Sequence, residues 1–272
     1  MIVFLRMIFS ARYLQSLLVI AFLSALALPV NLAARRSPPI APEQIMVVTT
    51  DSLRLIGYVA LPKIPTDVKP PLIVLLHSET GTIDDWLGFT QFLCEYGFAV
   101  MAMDIRGCGA PVFDYRIHQN RPPGTTKEGD TDRYQSDVAQ MVEKVIKNYE
   151  ESVDTSRLAI IGSSLGANIG VIYASTDPRV KFTVLISPGL EIRRQRIAPV
   201  IKEFGDRPLM LATADKDIYC FESCTMLADV TPRPLDIHVY EAYFNGNMLL
   251  DNQPQLMKDI VENLKKYLKQ SR

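Results

Sequence analysis

The strongest chemical signal in the 272-residue chain is the pentapeptide Gly162-Ser163-Ser164-Leu165-Gly166. It follows an apolar, branched run at 158–161 of strand length. It precedes a stretch of helical spacing that places the small residues Gly166, Ala167 and Gly170 on one side. A serine in such a strand-to-helix turn has its hydroxyl lifted above the sheet edge, with the next backbone N–H groups aimed at the same space. Glycines at either end leave room for the turn, where side chains would strike the neighbouring strand and helix. A Gly/Ser-rich loop is the bland alternative, and the flanking strand and helix favour the turn.

The elements that must position this serine follow a regular order. Residues 45–50 and 53–61 alternate as an antiparallel pair at a sheet edge, with a turn at Asp51-Ser52. Continuous apolar runs at 72–76, 99–103, 158–161, 180–186 and 209–214 read as strands covered on both faces, and 236–240 as a last strand. Helical spacing appears at 86–96, 136–149, 165–174, 221–228 and 255–269. Residues 192–203 read as a basic, helical excursion, and 110–133 as a long loop without periodicity. Strands alternating with helices imply an α/β fold, a mostly parallel sheet with helices on both faces. Ligands in such sheets bind beyond the carboxyl ends of the strands. His77, Ser164, Asp217 and the loop from 105 to 133 all fall at that edge.

Length and composition are those of a globular chain with a substantial core. A formal charge of −1 gives no reason to expect nucleic acid or an anionic membrane surface as partner. The first 34 residues differ: Arg6 and Arg12 precede an uncharged apolar run at 14–30, followed by Ala33-Ala34. This is the order of a secretory signal peptide, and the 17-residue run is also the short limit of a membrane anchor. Either places the protein outside the cytoplasm, periplasmic or extracellular, or tethered by that segment, its only expected membrane contact. A Pro-rich linker, 35–44, then leads to one domain, 45–272. Cys94, Cys108, Cys220 and Cys224 allow three disulfide pairings, and their spacing with three histidines does not suggest zinc. Nothing implies a metal or an organic cofactor.

From residue 45 onward the chain resembles the α/β-hydrolase fold, particularly small esterases of the dienelactone-hydrolase and acyl-esterase kind. The resemblance rests on Leu75-Leu76-His77 with Gly81, on Asp104-Ile105-Arg106-Gly107-Cys108-Gly109, on the Ser164 turn, and on Asp217. It implies a sheet of about eight strands and a small-molecule acyl or ester substrate. It implies Ser164 as nucleophile, oxyanion donors from the backbone of Leu165 and of Ser78 or Glu79, and Asp217 as the acid orienting a base. Asp215 is the alternative acid, and either aspartate could instead cap a helix.

The same resemblance places a histidine after the last strand, where this chain reads Asn245-Gly246. An amide has no usable basicity, so Asn245 cannot take the serine's proton. Of the three histidines, His77 reads as a structural part of the oxyanion loop and His238 as a packed strand residue. His118, in the long loop, is the possible substitute base. Two functions follow from these residues, an exported serine hydrolase of weakened activity or a hydrolase-fold protein that binds without turnover. Arg193, Arg194 and Arg196, on the excursion, read as a solvated helix face, with binding of an anionic substrate as the other possibility.

Overall fold

Apolar runs covered on both sides need helices above and below, and that requirement sets the architecture. The computed structural model describes residues 40–63, 69–232 and 234–269. The leader or anchor expected over 1–34 lies outside the described residues. In chain order the strands are β1 (Glu43–Val48), β2 (Leu53–Ala60), β3 (Pro71–Leu76), β4 (Ala99–Met103), β5 (Val112–Asp114) and β6 (Gln119–Arg121). They continue with β7 (Asp154–Ser163), β8 (Val180–Ile186), β9 (Glu191–Ile192), β10 (Gln195–Arg196), β11 (Leu209–Ala214) and β12 (Leu235–Tyr240). The helices are α1 (Leu87–Glu95), α2 (Tyr134–Tyr149), α3 (Leu165–Thr176), α4 (Ala198–Lys202), α5 (Ile218–Val230), α6 (Gly246–Asn252) and α7 (Pro254–Tyr267).

The main sheet has ten strands among the described residues, in the order β12-β11-β8-β7-β3-β4-β2-β5-β6, with β1 paired to β2. From β12 to β4 every neighbour is parallel, and β2, β1, β5 and β6 are antiparallel additions at one side. Period-two alternation divides the side chains of the central strands between two cores. Leu72, Val74 and Leu76 of β3 face a core with α2, α3 and Leu227 of α5, while Ile73 and Leu75 face one with α1 and α7.

Two short hairpins escape hydrophobic pattern reading: β5–β6 takes the main sheet from the eight strands expected to ten, and β9–β10 forms a separate two-stranded sheet. The first, β5–β6, lies in the stretch taken for an irregular loop. Ion pairs hold it: Asp114 is buried and accepts from Arg116 and Arg121, and Arg121 also reaches Asp130 at 2.9 Å. The second, β9–β10, lies where a helix was expected. Arg193 and Arg194 both have positive φ (49° and 66°), which turns the chain back on itself, and Arg196 pairs with Glu191 across the hairpin. Helix there is confined to Ala198–Lys202, with a proline in its first turn.

Arg106 anchors the first of these irregular regions. Only 1% exposed, it donates to Asp137 on α2 (2.7 Å twice), to Asp51 in the β1–β2 turn (2.6 and 2.9 Å) and to Asp130 (3.3 Å). One buried cation thus joins the helix, the turn and the long loop. Hydrogen bonds from Arg106 hold the Asp51 carboxyl well below the usual carboxylate range. Such a group stabilises the fold fully above about pH 4 and progressively less as pH falls through its folded value. Urea-unfolding midpoints should therefore decline between about pH 4 and pH 2. Asp51→Asn should lower stability at pH 7 and flatten that decline, and an equally steep slope in the variant would show that Asp51 is not its source.

Candidate active site

The turn at the carboxyl end of β7 is as tight as its glycines imply. Ser164 has φ 52° and ψ −114°, a strained conformation for a residue with a side chain. Its N–H donates to Ile186 O at 2.9 Å, and its carbonyl accepts from Ala167 and Asn168. A β-carbon on Gly162 would lie 2.3 Å from Gly166 O, and one on Gly166 would lie 2.2 Å from Leu76 O and 2.5 Å from His77 O. Any side chain at Gly166 would therefore drive α3 off the end of β3. Ser164 is half-buried at the sheet edge, and Leu165, the first residue of α3, has no intrahelical acceptor for its N–H.

The loop after β3 is fixed by His77, which is fully buried. Its Nε2 accepts from Ile105 N–H at 2.9 Å, which leaves Nδ1 to donate to Ser78 O at 2.6 Å. Both ring nitrogens are thus spent, Nε2 on tying the end of β3 to that of β4 and Nδ1 on the loop after β3 itself. Glu79 receives Arg193 at 2.5 Å, and the same guanidinium donates to Thr126 Oγ1 at 2.9 Å. Arg193 therefore lies on no solvated helix face. It carries the β9–β10 hairpin from the end of β8, past β7, to the loops that follow β3 and β6.

Asn168 secures that hairpin from below, a role that the sequence did not signal because its partners lie 21 and 27 positions away. Fully buried, its amide donates to Gly189 O and Gln195 O, both at 2.8 Å, and accepts from Gly189 N–H. Ser223 Oγ accepts from Leu190 N–H, and Tyr219 donates to Glu191 O. A short roof is thus stapled to the helix that begins at Ser164.

The two candidate acids differ in their free capacity. Asp215 accepts from Lys216 and from Ala242 N–H, tying β11 to the loop after β12. Asp217 caps α5, accepting from Cys220 N–H through Oδ1, while its Oδ2 is buried without a partner. The capping role and a free acceptor coexist in one side chain. Asn245 is exposed and is the N-cap residue of α6, though its side chain makes no capping bond. The loop returns to the turn through Gly246, whose N–H donates to Ser187 Oγ. A β-carbon on Gly246 would lie 2.6 Å from Ser163 Oγ.

The remaining histidines are placed elsewhere. His118 is exposed, in the tip of the β5–β6 hairpin, four to five strand spacings from β7 and on the order of 20 Å away at ~4.8 Å each. The structure does not bring it to Ser164. His238 is not packed inside as expected: β12 is the outer strand, and the ring sits half-exposed between Asp236 (3.0 Å) and Asp259 (3.3 Å). The four cysteines are free and buried. Burial pushes the Cys94 thiol up to about 12 and that of Cys108 up to about 11, so neither is a nucleophile near neutrality.

This arrangement of turn, buried-histidine loop and capping aspartate has relatives. Residues 70–218, more than half of the chain, match the serine aminopeptidase, S33 family of hydrolases. The chain belongs to that family. Solved structures share the α/β-hydrolase fold with it. The esterase Pf2001 of Pyrococcus furiosus is 17% identical, covers 85% of this chain and 94% of its own, and gives a TM-score of 0.64. The α/β-hydrolase GrgF from Penicillium sp. is 13% identical, with 84% and 99% covered and a TM-score of 0.65. A 2,6-dihydroxy-pseudo-oxynicotine hydrolase is 17% identical, with 85% and 68% covered and a TM-score of 0.62. Membership of the serine-hydrolase family stands on the first match, and at these identities the structures speak for the fold alone.

The roof has a measurable worth. Replacing Asn168 by alanine strands three buried backbone groups, each expected to cost about 1–3 kcal/mol. Asn168→Ala should thus lower the melting temperature by several degrees, and a change of less than about 1 °C would mean that the amide does not hold the hairpin.

Proposed function

We propose that this serine-hydrolase-family protein binds a small acyl or ester compound at Ser164 and turns it over weakly or not at all. Ser164 would attack the carbonyl, Leu165 and Ser78 or Glu79 would supply oxyanion donors, and the free Oδ2 of Asp217 would face the place of a base. The observation that carries the reading is the disposition of basic groups. The loop after β12 offers Asn245, and none of the three histidines is available to Ser164. His77 is spent on Ile105 and Ser78, His118 lies in the distant hairpin, and His238 is paired on the outer strand. Without a base the hydroxyl is a poor nucleophile, and what remains is binding and oxyanion stabilisation. The order of basic, apolar and small residues over 1–34 supports export or anchoring of the protein.

The test is direct. The protein is incubated with a fluorophosphonate probe and with p-nitrophenyl acetate, beside Ser164→Ala and Asn245→His. The starting protein should label slowly or not at all, and Asn245→His should raise Ser164-dependent ester turnover by at least about 100-fold, the usual contribution of a general base. Rapid Ser164-dependent turnover by the unmodified protein would show that another base serves. A folded Asn245→His protein with no gain would show that the loop does not present residue 245 to the serine.

A further inference from the structure

β12 ends the sheet, and its outer edge carries a row of backbone groups without a strand to meet them. Among the described residues it pairs only with β11, in parallel register from Leu209↔Leu235 to Ala214↔Tyr240. The carbonyls of Pro234 and Tyr240 accept from Leu209 N–H and Asp215 N–H. Alternate residues of a strand turn their amides to the same neighbour, so 234, 236, 238 and 240 face β11. Leu235, Ile237 and Val239 then turn their N–H and C=O groups outward. Such an edge is a template for another strand unless it is short, bulged or guarded by charge. Here it is six residues long in unbroken register, and the residues with outward amides are all apolar.

Their side chains are left open as well. Leu235, Ile237 and Val239 share one face of the strand. Leu235 packs against the core that includes Cys224 and Leu227 of α5, but Ile237 is 43% exposed and Val239 50%. The other face carries Asp236, His238 and Tyr240. Acid and imidazole thus stand on either side of Ile237, with side chains 43% and 22% exposed.

This pattern is complementary to itself. With a second β12 running antiparallel and Ile237 opposite Ile237, Leu235 falls opposite Val239, and every outward N–H and C=O of the three residues finds a partner. On the other face the same register sets each Asp236 opposite the His238 of the second copy, in the non-hydrogen-bonded pairs whose side chains approach most closely. An axis at residue 236 would oppose two carboxylates. An axis at 238 would oppose two imidazoles and leave Asp236 facing Tyr240. β1, which pairs only with β2 among the described residues, carries one charge, Glu43, and no base to meet it.

We propose that two copies of this chain associate through β12, antiparallel about a twofold axis at Ile237, so that the two sheets continue into one. A contact of this kind uses the same patch on both copies and stops at two.

Cysteine cross-linking tests the register. Two Ile237 residues on the axis have α-carbons about 5.5 Å apart, within disulfide reach, whereas two Val239 residues are ~14 Å apart. The four native cysteines are buried, which keeps the background low. Under mild oxidation full-length Ile237→Cys should convert mostly to a disulfide-linked dimer on a non-reducing gel, and Val239→Cys should remain a single chain. The unsubstituted protein should sediment at twice the mass of one chain. Ile237→Lys, at an exposed position, should keep the parent's circular dichroism spectrum and sediment as a monomer, since two ammonium groups would meet on the axis. A monomeric parent, a dimer that survives in folded Ile237→Lys, or cross-linking at 239 as readily as at 237 would each overturn the proposal.

Discussion

Close approach of backbone to backbone at Gly166 is the contact on which the rest depends. Leu76 O and His77 O lie where a β-carbon of residue 166 would be, so α3 can start only against the end of β3. That contact sets Ser164 in its left-handed conformation, brings its helix beside the loop after β3, and fixes the height of the turn above the sheet. Everything at the carboxyl edge is built outward from it. His77 locks β3 to β4, the hairpin after β8 passes over β7, and the loop after β12 returns against Ser163.

Two kinds of interaction maintain this edge. Apolar burial holds the sheet and helices, with strands such as β3, β4 and β7 almost entirely excluded from water over their apolar spans. The irregular segments above the sheet have little apolar surface and are held by charge and amides. Arg106 fastens the long loop, Arg193 the roof to the loop after β3, and Asn168 the roof to α3. Ion pairs of this sort gain little when exposed. Buried with several partners, they cost much to break from one side only.

That division explains what could be read from the chain. The runs at 180–186, 209–214 and 99–103 are strands to the residue because continuous branched apolar sequence of that length has few other uses. The serine turn was legible because its glycines, strand and helix are contiguous. The β5–β6 and β9–β10 hairpins were not, since charge pairs and not apolar alternation hold them: Asp114 and Arg121 pair within and just beyond the first hairpin, and Arg193 of the second meets Glu79 and Thr126 far along the chain. Helix α6 was missed for a related reason: Gly246–Asn252 is short, starts at an Asn-Gly pair and owes its place to packing beneath Leu249 and Leu250. The importance of Asn168 is invisible in sequence, where a polar residue on a helix looks the same whether it is solvated or buried.

The stapled roof bears on how fast molecules come and go. A hinged lid opens on microsecond to millisecond timescales and can set the pace of exchange. Here the hairpin would have to surrender the three hydrogen bonds of Asn168 and the Arg193–Glu79 pair before it moved. Exposed apolar side chains sit instead on Ile218, Tyr243, Phe244 and Met248, near in sequence to Asp217 and Asn245. A roof fastened by buried amide bonds and an ion pair is a fixed part of the edge, as strands and helices are, and not a hinge.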